Sequence, residues 1–302
     1  MARIRKALSA LVPIGAVAMV GYLVLTRGSS LLAALAAVPP WVFAAAVGAH
    51  LLTLALRTEA WRTVLRAAGG ERLDPMSVHA ANAGAFLAGT LQGQAAMPAR
   101  VALLRRFAGP EAPAVSQIAL ADAPIVMFEV CASAVLAAIG STAVGVIPAW
   151  APWAMLGVAF AILAVLRLLY ARFKDRKLAA GLGVLAQPAM RNRLALIVAG
   201  FTAMAFIRTL IVLGGFNLPL DPAHVCIVLF TMGVVGLLPL GVGTGPASMV
   251  AALGGTTTLV TATAAGMVVS AATVAAVVTY AGAVWAWRTV AARVALPARA
   301  PV

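Results

Sequence analysis

Long apolar blocks separated by short polar connections run along the chain near residues 8–26, 41–60, 114–139, 152–169, 194–215 and 257–287. A helix needs about 20 mostly apolar residues to cross a bilayer, so the pattern predicts an all-α integral membrane protein with about six spanning helices. Two further apolar segments, 77–109 and 225–255, do not fit that length. The first passes through Gly84, Gly89 and Gly93 to Pro98 and Arg100; the second passes through Gly233, Gly236, Gly241, Gly243 and Gly245 to Pro246 and Ser248. Neither half of either segment is long enough to cross. The arm from Pro98 to Ala108 would rise only about 16 Å as a helix, half the hydrocarbon thickness. Both segments predict re-entrant helical hairpins.

Basic residues orient these elements. Of 22 Lys and Arg, 20 fall in five groups: Arg3 to Lys6, Arg57 to Arg72, Arg100 to Arg106, Arg167 to Arg193 and Arg288 to Arg299. Placing these groups in the cytoplasm satisfies every loop of a six-span, two-hairpin topology, with both termini cytoplasmic. The connections at 27–40, 140–151 and 216–221 fall outside, and of these only the first carries a basic residue, Arg27. Span two, an inside hairpin and span three then correspond to span five, an outside hairpin and span six, turned over in the membrane. Arg57 precedes Pro98 by 41 residues and Arg208 precedes Pro246 by 38, a shared layout that predicts an inverted repeat. The expected organisation is a single membrane domain, 1–302. It comprises an uncleaved anchor helix (8–26), a first repeat (41–139, hairpin 77–109), a connecting helix (152–169) and a second repeat (194–287, hairpin 225–255).

Composition narrows the function. The chain is 63% hydrophobic and 10% charged over 302 residues, and the longest polar connection, 170–193, reads as a loop. No catalytic domain of ordinary size, about 100 residues or more, fits between the spans. The formal charge of +14 would suit a nucleic-acid partner were it gathered on one face. Its placement at helix ends instead matches anionic membrane lipids. Cys131 and Cys226 lie in apolar stretches and read as buried thiols. Three scattered histidines, His50, His79 and His224, form no metal constellation. No nucleotide-binding sequence and no Ser/His/Asp set is present, so the sequence implies no cofactor and no enzyme.

The residues able to carry chemistry cluster at the hairpins and mid-span. Proline suits the first position of a helix, where its missing N–H would be unpaired anyway. Pro98 and Pro246 are therefore expected to start each returning arm, with a helix N-terminus deep in the membrane. Such ends carry positive partial charge and bind anions. Asn82, Gln92, Gln94 and Arg100 add polar groups to the first hairpin, and Gly243, Gly245 and Ser248 surround the second turn. Arg208 lies 15 residues beyond Arg193, near mid-membrane. A charge there costs about 2.5–3.5 kcal/mol on insertion scales and marks function by default. Arg57 lies nearer the inner end of its span. These residues form the expected substrate-binding set. Asp122 and Glu129, seven residues apart on the third span, fall on nearly one face. They are the candidates for proton coupling or for counter-ions, with Pro124 bending the helix between them.

Three local patterns resemble the transmembrane, flippase-like region of the lysylphosphatidylglycerol synthase family. They are Arg57-Thr-Glu-Ala-Trp61-Arg62 with the following Gly69, Pro98-Ala-Arg100-Val-Ala-Leu-Leu-Arg105-Arg106, and Leu238-Pro-Leu-Gly-Val-Gly-Thr-Gly245-Pro-Ala-Ser248. The family often carries an acidic residue where Ala102, Leu103 and Ser248 stand, so no preference for an aminoacylated lipid carries over. The resemblance implies a two-hairpin fold in a bacterial plasma (inner) membrane and lipid translocation. It does not imply synthesis, since these 302 residues include no aminoacyl-transfer domain. The expected substrate is an anionic lipid, either a phospholipid or a polyprenyl-phosphate lipid, moved between leaflets. Two alternatives stay open: a secondary transporter of a small soluble anion, and a non-catalytic membrane subunit partnered by an envelope-lipid biosynthetic enzyme.

Overall fold

The computed structural model describes residues 25–70, 72–144, 148–173, 177–236 and 243–294. Every regular element among them is helical. Residues 25–36 form α1, and ten further α-helices follow: α2 (Pro40–Ala67), α3 (Pro75–Leu91), α4 (Ala96–Ala108), α5 (Val115–Leu120), α6 (Asp122–Val144), α7 (Ala151–Phe173), α8 (Pro188–Gly215), α9 (Pro222–Val235), α10 (Thr244–Leu253) and α11 (Leu259–Val294). Five stretches are long and apolar enough to cross a membrane: Pro40–Ala67, Val115–Gly140, Ala151–Phe173, Pro188–Gly215 and Leu259–Val290. They match the last five expected spans. The first expected span, 8–26, lies outside the described residues except for its final two positions, as do both termini.

The two glycine-broken segments are helical hairpins. α3 and α4 pack along each other, as do α9 and α10. Their 17, 13, 14 and 10 residues each fall short of the about 20 that a crossing needs. Proline and aspartate start the outgoing arms. The Asp74 carboxylate accepts from the Met76 and Ser77 amides before Pro75, and Asp221 caps Ala223 and His224 in the same way around Pro222. Slight burial would raise the Asp221 carboxyl, but the hydrogen bonds from His224 and Ala223 outweigh it and hold the group below the usual carboxylate range.

Two expectations need correction. Pro98 and Pro246 stand at the third position of their returning helices, not the first, because α4 begins at Ala96 and α10 at Thr244. In the first hairpin a short 3₁₀ turn, Gly93–Ala95, leads into α4 and supplies the missing turn. The first turn has no intrahelical partner for its N–H groups, so proline is harmless there. The third span, Val115–Gly140, departs from regular helix where Pro124 was expected to bend it: the hydrogen-bond ladder lapses at Ala121, between α5 and α6. Pro124 has no N–H to give the Leu120 carbonyl four residues back, which ends the ladder there. Lastly, the connection 170–193 contains a 3₁₀ segment, Lys177–Leu185, whose Leu182, Val184 and Leu185 are buried against α2, α5 and α7.

Buried residues gather in separate clusters along the two central helices. α2 and α8 pack side by side and run in opposite directions between them. One cluster holds Trp61, Leu65, Leu104, Ile118 and Leu194, where the first hairpin meets the C-terminal end of α2 and the N-terminal end of α8. A second holds Ala46, Leu213, Val225, Met249 and Leu253, where the second hairpin meets the opposite ends, and a third joins α2, α3 and α11 through Leu54, Ala83, Val277 and Tyr280. α11 seals the second hairpin by close backbone approach. A methyl group on Gly266 would collide with Pro246 and the Gly245 carbonyl carbon, and one on Gly245 would strike the Gly266 oxygen. Gly266→Ala is therefore expected to lower stability by about 1–3 kcal/mol, the range for overpacking. Thermal unfolding of the purified protein in detergent reads this as a lower midpoint; an unchanged midpoint would contradict the contact.

Candidate functional site: a cavity between the two hairpins

Between these clusters lies a cavity of about 370 Å³. Its wall on α2 is His50, Leu54 and Arg57, at spacings of four and three that place them on one helix face. α11 contributes Ser270, Thr273 and Val277 by the same spacing, α8 contributes Arg208, and α9 contributes Met232. Both hairpins line it: Phe86, Gly89 and Thr90 come from α3, and Thr244 and Gly245 from α10. Ala96 and Thr244, the first residues of the two returning helices, both line the cavity. Two helix N-termini, with their partial positive charge, thus border the same space.

Arg208 supplies its full charge. The side chain is buried, with 8% of the residue accessible. Its Nη1 donates to His50 Nδ1 at 2.7 Å and to Thr273 Oγ1 at 3.3 Å. His50 accepts at Nδ1, so its proton sits on Nε2 and it brings no negative charge to Arg208. Arg208 Nε is buried without a hydrogen-bond partner, and no ion pair to Arg208 occurs among the described residues. Arg57, the second cation of the wall, is different. It forms a short ion pair with Glu129 of α6, and its guanidinium lies 5.3 Å from the Phe201 ring centroid. The net charge facing the cavity is therefore that of Arg208.

Of the residues expected from sequence to bind substrate, Arg208, Arg57 and Gly245 line the cavity. The others are placed elsewhere. Asn82 is buried on the α2 side, donating to Thr58 Oγ1 at 3.0 Å. Arg100 is bound to Asp122, Nη1 lying 2.6 and 2.7 Å from the two carboxylate oxygens, and it stacks 5.0 Å from the Trp61 ring. Gln92 and Pro98 are exposed, and the Gln94 side chain and Gly241 lie outside the described residues. Gly243 is the N-cap of α10, Pro246 packs on Gly266, and Ser248 is buried, donating to the Thr244 carbonyl at 2.6 Å. Asp122 and Glu129 each hold an arginine.

Sequence reasoning missed Phe86, Thr90, Met232, Ser270 and Thr273. For α11 a signal exists: Thr263, Gly266, Ser270 and Thr273 recur at three- and four-residue steps, a stripe of small and polar residues on one face of an otherwise aliphatic helix. The apolar wall residues carry no such mark.

Two glycine-broken helical hairpins packed into a bundle of membrane-length helices are what the sequence resemblance implied. The pattern of the lysylphosphatidylglycerol synthase TM region matches residues 9–293. The chain belongs to that family. No curated protein and no solved structure matches it. Membership covers the hairpins, the cavity and all five described spans, and it gives the chain a role connected with membrane lipid.

Proposed function

We infer that this protein translocates an anionic lipid, a phospholipid or polyprenyl-phosphate lipid, between the leaflets of a bacterial plasma membrane. The observation that carries the reading is Arg208: a buried cation with no carboxylate partner among the described residues, lining a cavity bordered by both hairpins. Burying a charge without an opposite charge costs several kcal/mol. An anionic ligand offsets that cost when it enters. The unpartnered Nε and the two helix N-termini supply donors for a phosphate. The remaining wall of Leu54, Phe86, Met232, Val269 and Val277 is apolar, which suits an amphiphile whose chains stay in lipid while its headgroup crosses.

Packing supports alternating exposure. α3 packs on α11 as α9 packs on α6, and α2 packs on α11 as α8 packs on α6. Exchanging α2 with α8, α3 with α9 and α6 with α11 maps these contacts onto one another, as an inverted repeat requires. The short arms fit re-entrant hairpins dipping from opposite faces, and rocking one repeat against the other would open the cavity to each leaflet in turn. Glu129 acts here as counter-ion to Arg57 until a ligand arrives.

A photo-reactive amino acid at Thr90, inside the cavity, tests this directly. Irradiation in native-lipid membranes is expected to capture lipid there, and Arg208→Gln should suppress that capture. The same probe at Leu168, which is 68% exposed on α7, should capture lipid equally in both backgrounds. Capture at Thr90 that ignores Arg208 would count against the reading.

A further inference from the structure

A chain of side-chain hydrogen bonds lies just behind the cavity wall. His79 of α3 stands with Nε2 3.1 Å from Glu59 Oε1 and Nδ1 2.7 Å from the Tyr280 hydroxyl of α11. Tyr280 Oη is 3.0 Å from Thr58 Oγ1. Thr58 Oγ1 also accepts from Asn82 Nδ2 at 3.0 Å and lies 2.9 Å from the Leu54 carbonyl. The Glu59 and His79 side chains are 28% and 19% accessible, whereas Thr58 and Asn82 are buried. The run therefore starts at partly exposed groups beside Arg62 and Arg193 and ends inside the bundle.

Counting protons shows what it can do. A carboxylate only accepts, so His79 donates from Nε2. Tyr280 has one hydroxyl proton for two neighbours. When the imidazole is neutral, Nδ1 is bare and takes the Tyr280 proton; Thr58 must then turn its own proton to Tyr280 and away from Leu54. When the imidazole is protonated, Nδ1–H donates to Tyr280, Tyr280 donates to Thr58, and Thr58 donates to the Leu54 carbonyl. One proton on His79 reverses two hydrogen bonds and adds a third. Imidazole is the side chain that most readily gains and loses a proton near neutral pH, and the Glu59 carboxylate balances the charge gained.

The other end of the run touches the cavity. Leu54 and Phe86 line it, the Phe86 ring lies 6.1 Å from that of Tyr280, Val277 is one turn before Tyr280, and Arg57 adjoins Thr58. Asp122 and Glu129, the carboxylates expected as proton carriers or counter-ions, pair with Arg100 and Arg57. We propose that His79, acting through Tyr280 and Thr58, is the proton-uptake site coupled to the cavity, so that movement of the anionic ligand is linked to a proton taken from the Glu59 side. This rests on the transport reading above. The charged groups facing His79 are few. α2 brings Glu59, with Arg62 donating to both its oxygens, and Arg193 of α8 reaches the same carboxylate at 3.9 Å. α11 brings Tyr280, and its Arg288 lies over Phe107. On α4, Arg100 turns to Asp122 while Arg105 and Arg106 are exposed.

Two readouts on the full-length protein test the coupling. Nuclear magnetic resonance of ¹⁵N-histidine-labelled protein should show the His79 ring passing between its neutral and protonated forms as pH is varied, with its signals assigned by their loss in His79→Gln. Tyr280→Phe, which keeps the ring packing, should displace that titration. In proteoliposomes, wild-type lipid flux should change with pH in step with that ring, and both variants should retain flux but lose its pH dependence. A His79 ring that does not titrate, or that titrates identically in Tyr280→Phe, overturns the relay whatever the flux. Unaltered pH dependence of flux in both variants also overturns it. Absence of wild-type flux with any lipid at any pH overturns the transport reading instead, and with it the coupling.

Discussion

Arg208→Gln is expected to abolish or nearly abolish lipid translocation while leaving the protein folded, inserted and no less stable. Charged hydrogen bonds contribute about 1.5–3 kcal/mol each, so losing the phosphate's contact with this guanidinium should lower flux by about ten- to a hundred-fold. Glutamine can still donate toward His50 and Thr273, the neighbours Arg208 uses now. The unusual part is the stability. Arg208 is buried without a carboxylate, so replacing it removes an uncompensated charge from an apolar bundle. The unfolding midpoint should stay level or rise as activity falls, the trade that marks a residue kept for its task. A variant that unfolds, or that transports normally, would each count against the role given to Arg208.

The opposite behaviour is expected of Arg100, although both arginines were expected to bind substrate. Arg100→Met strands the Asp122 carboxylate in a partly buried place. Breaking such a pair on one side costs about 3 kcal/mol or more. The double substitution Arg100→Met/Asp122→Leu should recover most of that loss, because two apolar side chains of similar volume need no pairing. Stability in detergent and surviving flux should therefore fall in the single variant and return together in the double. Normal stability with selectively lost flux in Arg100→Met would restore Arg100 to the substrate site.

These two arginines show where the sequence was legible and where it was not. Spans could be read because burial in lipid leaves a local record, about 20 apolar residues in a row, and basic residues at the ends record orientation. The hairpins could be read because their arms are too short to cross and are cut by glycine. Arg208 stood out because no snorkelling route exists from mid-span. Pairings could not be read: Arg57 meets Glu129 from 72 residues away, and Arg100 meets Asp122 only because α4 folds back against the α5–α6 break. Only the assembled bundle decides which cation is neutralised and which is left over. Proline positions were misjudged by two residues because a 3₁₀ turn leads into α4 and α10 already begins at Thr244. The His79–Tyr280–Thr58 run was invisible for the same reason as the ion pairs, as it joins three helices spread across 222 residues.

The most direct test of the central claim is headgroup translocation in proteoliposomes made from purified protein and labelled phospholipid or polyprenyl-phosphate. The account predicts flux that depends on protein, persists with no other subunit present, and collapses in Arg208→Gln. Flux of inorganic phosphate that saturates in the same vesicles, with no lipid movement, would contradict it in favour of a soluble-anion transporter. No flux of either kind from folded protein would contradict it in favour of a membrane subunit that works only with a partner enzyme.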